Sequence, residues 1–302
     1  MPELAPAAPI LCTSENRADM VTGPTADFVV KFWGVRNQIS APGKETIRYG
    51  GNTSCVEMRV AKKRLIFDGG SGLRVLGDSL LTQMPLEAYM FFTHCHWDSI
   101  QGFPFFKPAF IPGNCFHIYG AMASNGASME QRLSRQMCAP NFPVPLQVMG
   151  SELKFYDLTS GKVILLDDVT VETVSLNYAH RSMGYRVTWE GHSVVYATDR
   201  SHHRSQLDQN LLHLARQCDL LILDAPRAIS ADDILKCDAL KWQDDLWQTG
   251  IATAKAAGVK RIVMSRYNPD YDDDFLDKVE EQVQLVFPND LLAREGMSLS
   301  VF

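Results

Sequence analysis

Residues 91–99 read FFTHCHWDS, an apolar run that ends in a His-x-His-x-Asp pattern. In an extended segment, side chains two residues apart point to the same side, so His94 and His96 can share one cation. Asp98 can begin a second metal site beside them. The next residue is Ser99, a neutral hydroxyl where a further imidazole would be needed. The stretch therefore predicts a strand with metal-ligand side chains at its end, in a pattern that stops one ligand short.

Polar residues also follow four other apolar, strand-like runs. These residues are Asp68, Asp199, Asp224 and Arg266. The carboxyl ends of strands in α/β proteins meet at the edge where ligands bind, so we expect these side chains on one rim with His94. A single Asp after a strand is more often a turn or a helix cap. Five such positions together instead favour metal-assisted hydrolysis, with Asp199 bridging two cations and Asp68 orienting a histidine through its ring N–H.

Short apolar runs bounded by turn residues alternate with helical patterns, which predicts an α/β chain with two strand-rich halves. The predicted strands are residues 28–33, 55–60, 65–67, 89–92, 116–119, 169–176, 185–189, 194–197, 220–223 and 261–264. The predicted helices are residues 71–83, 128–137, 207–217, 247–257 and 272–286. Ser128 and Gln131 have the spacing of a capping box, and Gly258 is a plausible helix stop.

Two segments depart from this pattern. Residues 1–26 are rich in Ala, Pro, Ser and Thr and have no periodicity, which predicts a mobile tail before a single domain at residues 27–302. Residues 121–150 are less regular and contain Pro140, Pro143 and Pro145. They could form a surface insertion that caps a pocket, or a plain connecting loop.

Composition excludes several classes of protein. A net charge of -6 makes general nucleic-acid binding unexpected, because phosphate contacts need clustered Lys and Arg. The 7 cysteines are odd in number and never spaced as Cys-x-x-Cys, which argues against a disulfide framework and a zinc knuckle. Cys95 points away from its histidine neighbours and is predicted to lie in the core. We find no signal peptide and no membrane-spanning apolar run, and we expect a cytoplasmic protein.

Taken together, the motifs resemble the metallo-β-lactamase fold, in the branch of phosphodiesterase-like hydrolases related to tRNase Z and cyclic-phosphate diesterases. The resemblance covers nearly all of residues 27–302. Besides the His94 motif, it rests on FWGVR (32–36), YGGNTS (49–54), FDGGSGLR (67–74), GFPFF (102–106), GYR (184–186), YATD (196–199) and NPDYDDD (268–274). It implies a four-layer αββα sandwich, in which two β-sheets lie between outer helices and metals bind at one edge. This agrees with the strand-end argument.

The chain departs from the family pattern at four positions. Ser99 replaces the last histidine of the His-x-His-x-Asp-His motif, and Tyr178 replaces the histidine of an Asn-His-Pro motif. Asp244 falls where the family has a histidine that assists the chemistry. Arg266 replaces the final metal-binding histidine. The resemblance therefore implies a change at both metals and at the catalytic helper.

The first metal site would keep three ligands: His94, His96 and Asp199. It lacks an imidazole at Tyr178, whose phenol must lose a proton with a pKa of about 10 before it ligates well. The resemblance implies that this site is weakened. His180 could compensate, since it lies two residues further along and faces the same way in an extended segment. His202 and His203 could also reach the rim, although a solvated loop is the simpler interpretation.

The second metal site would keep Asp98 and a share of Asp199. Ser99 is neutral, and the guanidinium of Arg266 stays protonated and cannot ligate a metal. Arg266 could instead neutralise the two carboxylates through charge-assisted hydrogen bonds, or bind an anionic ligand. We therefore expect no metal, or one zinc or iron ion, and no two-metal site.

The sequence leads to three functional hypotheses. The first is a pseudoenzyme that binds a small ligand or a protein partner without dinuclear hydrolysis. The second is a hydrolase of phosphodiester or ester bonds that uses one metal on His94, His96 and Asp199. The third is an interaction module that pairs with an active homologue or forms a homo-oligomer.

Overall fold

The computed structural model describes residues 28–177, 182–199, 207–225, 245–288 and 290–302. Within these residues the strands form two sheets of seven strands each. The first sheet contains β1 (Phe28–Gly34), β2 (Cys55–Val60), β3 (Lys63–Phe67), β4 (Glu87–Phe91), β5 (Cys115–Ala121), β6 (Glu152–Leu158) and β14 (Ser298–Ser300). The second contains β7 (Val163–Leu166), β8 (Val169–Asn177), β9 (Ser182–Trp189), β10 (His192–Ala197), β11 (Leu220–Asp224), β12 (Ile262–Ser265) and β13 (Leu291–Leu292).

Each sheet has a parallel half, which determines where the strand ends meet. The first sheet has the order β14-β1-β2-β3-β4-β5-β6, and β3, β4, β5 and β6 are parallel neighbours. The second has the order β13-β12-β11-β10-β9-β8-β7, and β10, β11, β12 and β13 are parallel neighbours. Parallel neighbours end at the same edge, so the residues that follow these strands collect at one rim of each sheet.

Helices cover the outer faces of both sheets. The described α-helices are α1 (Gly72–Leu80), α2 (Trp97–Ile100), α3 (Met129–Gln136), α4 (Gln209–Leu214), α5 (Asp245–Ala257) and α6 (Asp273–Val286). Leu73 of α1 and Leu133 of α3 join an apolar cluster on the outer face of the first sheet. Leu211 of α4, Ala254 of α5 and Val279 of α6 join the larger cluster, which continues between the sheets. The layers are α, β, β and α, as the resemblance implied.

The predicted strands and helices are all present, with ends that shift by a few residues. Ser128 forms the predicted capping box: its Oγ accepts from the Gln131 backbone N–H at 3.2 Å, and its own N–H donates to Gln131 Oε1 at 3.1 Å. Gly258 directly follows α5 with a φ of +70°. Four strands were missed: β6, β7, β13 and β14. The last two have only two and three residues, and β6 is mostly half-exposed, so no apolar run marks it.

Residues 121–150 connect β5 to β6 over the outer face of the first sheet. Met129, Leu133 and Leu146 from this segment are buried in the outer apolar cluster. The predicted tail, residues 1–26, lies outside the described residues. No helix in the described part of the chain is long and apolar enough to cross a membrane.

Candidate metal centre

Three residues at the rim have left-handed backbone conformations. Asp68 directly follows β3 with a φ of 58°, Asp199 comes shortly after β10 with a φ of 54°, and Arg266 directly follows β12 with a φ of 64°. Asp tolerates this conformation better than most residues, whereas a long side chain rarely adopts it. Each strand therefore ends in a sharp backbone turn at the residue that faces the cleft.

The structure brings His94, His96 and Asp199 together. One ligand atom from each of them lies within 4.8 Å of the others. The two imidazole rings stand almost perpendicular, with 4.5 Å between their centroids and 83° between their planes. His94 is 3% exposed, and His96 is exposed and precedes the first turn of α2. Two imidazoles and a carboxylate form a fitting set of three protein ligands for one metal ion.

Thr93 links His94 to Asp68. Its hydroxyl donates to Asp68 Oδ1 at 2.8 Å and lies 2.7 Å from Nδ1 of His94. Because the hydroxyl proton goes to Asp68, the Nδ1–H of His94 donates to the threonine oxygen. This tautomer leaves the lone pair of His94 on Nε2, the nitrogen on the other side of the ring. Asp68 was expected to orient a histidine directly, and the threonine takes that contact instead.

Asp68 is a fully buried carboxyl group. Burial raises its pKa to about 6, although the nearby Arg266 guanidinium and the Thr93 hydrogen bonds oppose the shift. The Tyr196 hydroxyl also donates to it, at 3.0 Å. Asp68 therefore remains mainly ionised at neutral pH and begins to take up a proton in mildly acidic solution.

Arg266 fills the space between the two sheets at the rim. Its Nη2 donates to Asp98 Oδ2 at 3.0 Å and to Asn37 Oδ1 at 3.2 Å. On the other side, its Nε lies 3.1 Å from Asp224 Oδ1. Its Nη1 lies 3.9 Å from Asp68 Oδ2. One guanidinium thus faces three carboxylates from both sheets, all of them buried.

This position does not fit a second metal ion. The side chain of Arg266 is 3% exposed, and burial by itself disfavours its charge. The carboxylates of Asp98 and Asp224 more than compensate, and they raise its pKa above the ordinary value. A permanently protonated guanidinium has no lone pair for a metal, and it already uses the Asp98 oxygen that a metal would need.

Ser99 connects Arg266 to His94. Its Oγ accepts from Arg266 Nη1 at 3.1 Å and lies 3.4 Å from Nε2 of His94. The hydroxyl proton can therefore point toward the lone pair of Nε2. A metal on His94 would have to displace that weak contact.

Comparison with known proteins assigns the chain to a family. Residues 63–264, well over half of the chain, match the family described as the β-lactamase superfamily domain. The chain belongs to this superfamily. No curated protein matches the sequence at a significant level.

Solved structures of superfamily proteins share the fold. YhfI from Bacillus subtilis, a metallo-β-lactamase fold protein, has a TM-score of 0.62 at 15% identity, covering 90% of this chain and 98% of that chain. Zinc-bound PqqB from Methylobacterium extorquens has a TM-score of 0.62 at 13% identity, covering 90% and 99%. The short form of human tRNase Z has a TM-score of 0.57 at 17% identity, covering 91% and 99%. At these identities the likeness concerns the fold alone.

The superfamily usually binds metals, and the His94, His96 and Asp199 group lies where the strand ends of this fold meet. Five other residues predicted for the site lie outside the described residues: Tyr178, His180, His202, His203 and Asp244. Cys95 lies behind the centre, with its Sγ 3.6 Å from Met129 Sδ, and burial raises its pKa to about 11.

Sequence reasoning missed three residues of the site: Thr93, Asn37 and Tyr196. Thr93 sits next to His94, and a hydroxyl beside a motif histidine could have suggested an orienting role. Asn37 and Tyr196 carry no such signal, because each reaches the centre through a contact with a residue far away in the sequence.

Close backbone packing holds the loops of the site in place. The Gly102 N–H donates to the Gly69 carbonyl at 2.8 Å, and the Gly69 N–H donates to the Ser99 carbonyl at 2.7 Å. A Cβ at Gly102 would overlap the carbonyl oxygen of Gly70. The loop after β3 and the turn that carries Asp98 can therefore touch only because a glycine stands at residue 102.

Proposed function

We propose that this protein is a non-hydrolytic member of its superfamily, whose cleft binds a small ligand or a protein partner. The observation that carries the proposal is the placement of Arg266 at 3.0 Å from Asp98 and 3.1 Å from Asp224. In the family pattern this position belongs to a metal-binding histidine. A tethered cation thus stands where two-metal hydrolysis would need the second ion.

The energetics of this arrangement oppose metal uptake at the second site. A metal would have to separate a buried, hydrogen-bonded ion pair and leave the guanidinium without its partners. Breaking a buried ion pair typically costs about 3–5 kcal/mol. Tyr178 and Asp244 add to the proposal from the sequence, as positions where the family pattern has histidines.

A second candidate function has its own supporting observation. The clustering of His94, His96 and Asp199 within 4.8 Å favours one zinc or iron ion and a mononuclear hydrolase of phosphodiester or ester bonds. A bound ion would lower the pKa of its water and supply hydroxide near neutral pH. Thr93 and Asp68 would keep His94 in the tautomer that presents Nε2.

Metal stoichiometry and activity test the two candidates together. We would purify the full chain without an affinity tag, measure its metals by elemental analysis, and assay cleavage of bis(p-nitrophenyl) phosphate. The non-hydrolytic proposal predicts at most one metal per chain at the His94 centre and no cleavage above background. Two metals with chelator-sensitive cleavage would overturn it. One metal with cleavage that is lost in His96→Ala would establish the mononuclear hydrolase.

A reversion experiment tests whether Arg266 is responsible. The quadruple variant Ser99→His, Tyr178→His, Asp244→His and Arg266→His restores the family pattern, and we expect it to bind one zinc ion more per chain than its control. The matched control Ser99→His, Tyr178→His and Asp244→His keeps the arginine and should bind no more zinc than the parent. Equal metal content in the two variants would contradict the role given to Arg266.

The partner hypothesis requires a separate experiment. We propose a cytoplasmic protein whose partner is an active homologue or a second copy of this chain, because a catalytically inactive copy can retain an oligomer surface. Affinity capture followed by mass spectrometry should recover a superfamily chain, and light scattering should detect self-association. If only small molecules co-purify with a monomer, the cleft acts as a ligand site.

A further inference from the structure

A second group of metal-ligand side chains lies at the opposite end of the first sheet. Glu87 and Cys115 are the first residues of β4 and β5 and face each other in the strand register. His117 lies two residues after Cys115 and therefore on the same face. Its Nε2 is 2.8 Å from Glu87 Oε1 and 3.6 Å from Cys115 Sγ. One ligand atom of each of the three residues lies within 4.8 Å of the others.

The distances agree with tetrahedral coordination. Zinc bonds of about 2.3 Å to sulfur and 2.0 Å to nitrogen, at the tetrahedral angle, place the two donors roughly 3.5 Å apart. The observed separation between Cys115 Sγ and His117 Nε2 is 3.6 Å. The carboxylate of Glu87 need only move back by roughly half an ångström to bind the same ion. Its side chain is 52% exposed and free to make that shift.

The His117 ring is already held in a suitable orientation. It stacks on Tyr89 with 4.7 Å between the ring centroids, and on Tyr156 with 6.0 Å. The Tyr156 hydroxyl lies 3.3 Å from Nδ1 of His117. In this structure the Nε2–H of His117 donates to Glu87. An ion that displaces this proton leaves the lone pair on Nε2, and Nδ1–H can then donate to the Tyr156 hydroxyl, the usual arrangement behind a metal-binding histidine. Cys115 and Glu87 lie on the side that Nε2 faces.

We propose that Glu87, Cys115 and His117 bind one divalent transition-metal ion of the zinc class. A thiolate, an imidazole and a carboxylate together suit zinc or cobalt far better than magnesium or calcium. Glu152, which pairs with Cys115 across β5 and β6, is engaged by Lys154 at 3.1 Å. Glu152 also contacts the Cys115 thiol, but it does not belong to the group of ligand atoms that lie within 4.8 Å of one another, so the fourth position is left to water. As the ion binds, the Cys115 thiol releases its proton to solvent, and the Nε2 proton of His117 moves to Nδ1 or, if the ring is charged, is released as well.

This site is separate from the His94 centre and does not rest on the proposed function. Glu87 begins β4, whereas His94 follows its end, so the two sites lie roughly 20 Å apart along the strand. An ion here would join β4 to β5 at the edge of the sandwich. It would therefore stabilise the fold, by an amount that rises with the logarithm of the zinc concentration once that concentration exceeds the Kd.

Cobalt provides a direct test, because a cobalt–thiolate bond gives a charge-transfer band in the near ultraviolet that histidine and carboxylate ligands do not. We would strip the full chain with chelator, keep it reduced with a phosphine, and titrate it with Co²⁺. We expect the band to appear with one cobalt per chain and to vanish when Zn²⁺ is added. Absence of the band in the folded, reduced protein would overturn the proposal.

Matched variants assign the band to a residue. Cys115→Ser should abolish the band. The matched control Cys138→Ser removes an exposed thiol elsewhere on the surface and should leave the band unchanged. The double variant His94→Ala and His96→Ala should also keep it, because that centre has no thiolate. Tyr156→Phe should weaken cobalt binding about tenfold by removing the contact at Nδ1. A band that survives Cys115→Ser would exclude this site, and circular dichroism would establish that each variant is folded.

Discussion

At the scale of single residues, the charge of Arg266 decides how the cleft is held. Its guanidinium lies 3.0, 3.1 and 3.9 Å from carboxylate oxygens of Asp98, Asp224 and Asp68. Transferring these charges from water into the protein is costly, and the attraction between them offsets that cost only while every partner is present. Removing the Arg266 guanidinium would take away the counter-charge that these three carboxylates have among the described residues.

We therefore predict that Arg266→Met destabilises the protein strongly. The methionine matches much of the side-chain volume but leaves Asp98 and Asp224 unpaired. Urea unfolding near neutral pH should show a loss of about 3–5 kcal/mol in the free energy of unfolding. Arg59→Met, on an exposed position of β2, is the control and should change stability by less than about 0.5 kcal/mol. Equal midpoints for the two variants would contradict this account of the rim.

Asp290 provides a second prediction, which depends on pH. This side chain is 1% exposed, and burial raises its pKa from 3.8 to about 8. Between these two values the folded protein holds a proton that the unfolded chain has released, so stability falls as pH rises through this window. Asp290→Asn removes the titrating group. We expect the variant to be more stable than the parent by about 1–3 kcal/mol near pH 9.

The gain from Asp290→Asn should shrink as the pH is lowered, because the parent is then protonated in both states. Urea unfolding at several pH values between about 4 and 9 measures this trend. Asp270→Asn, at an exposed position, is the control and should show no such dependence. A gain that stays constant across the range would mean that burial does not shift the pKa of Asp290.

At the scale of elements, apolar runs were enough to predict the central strands. β10, β11 and β12 are buried along almost their whole length, and such runs stand out in a sequence. The sequence did not predict β6, because its residues are mostly half-exposed and include Glu152, Lys154 and Asp157. β13 pairs only over Leu291 and Leu292, and two residues carry no periodicity. Short strands depend on their neighbours in space, which the sequence does not reveal.

The same limit applies to the candidate site. The sequence could place Asp68, His94, Asp199 and Arg266 at strand ends, because the strands themselves were predictable. The sequence could not predict which of these side chains contact one another. The partner opposite Asp98 is Arg266, 168 residues further along the chain, and that contact depends on how the two sheets stack. The role of Thr93 depends on side-chain rotation, which no spacing rule specifies.

We predict that Gly102→Ala disrupts the contact between the loop after β3 and α2. The added carbon would overlap the Gly70 carbonyl oxygen, and relief requires the two backbones to separate. We expect a loss of about 1–3 kcal/mol, seen as a drop of several degrees in Tm. Gly43→Ala is the control, since its Cβ would meet only the end of the Glu45 side chain at 3.3 Å. Similar Tm values for both variants would argue against close packing at Gly102.

At the scale of the whole molecule, both sheets contribute to one apolar core. Phe67 and Phe91 of the first sheet pack against Tyr185 of the second, with ring centroids 5.6 and 5.4 Å apart. Helices α4, α5 and α6 add to the same cluster. Because the inner faces of the two sheets pack against each other in this one core, the two sheets should fold and unfold together.

We predict that metal removal leaves this cooperative unit intact. After treatment with a chelator, the protein should unfold in a single urea transition seen equally by tryptophan fluorescence and circular dichroism. Adding Zn²⁺ should raise the midpoint of the parent through the Glu87, Cys115 and His117 site, and it should raise the midpoint of Cys115→Ser less. Two separate transitions after chelation would mean that a metal, and not the core, joins the sheets.

The guanidinium of Arg266 is covalently attached to the chain, and this affects how the cleft responds to the supply of metal in a cell. A free metal ion occupies its site only while the surrounding solution supplies it. The metal sites of a two-metal cleft are therefore partly vacant when zinc is scarce or when chelators compete for it. Arg266 is attached to β12, and its effective local concentration beside Asp98 and Asp224 never changes. The shape of this cleft should therefore be the same in zinc-starved and zinc-replete cells.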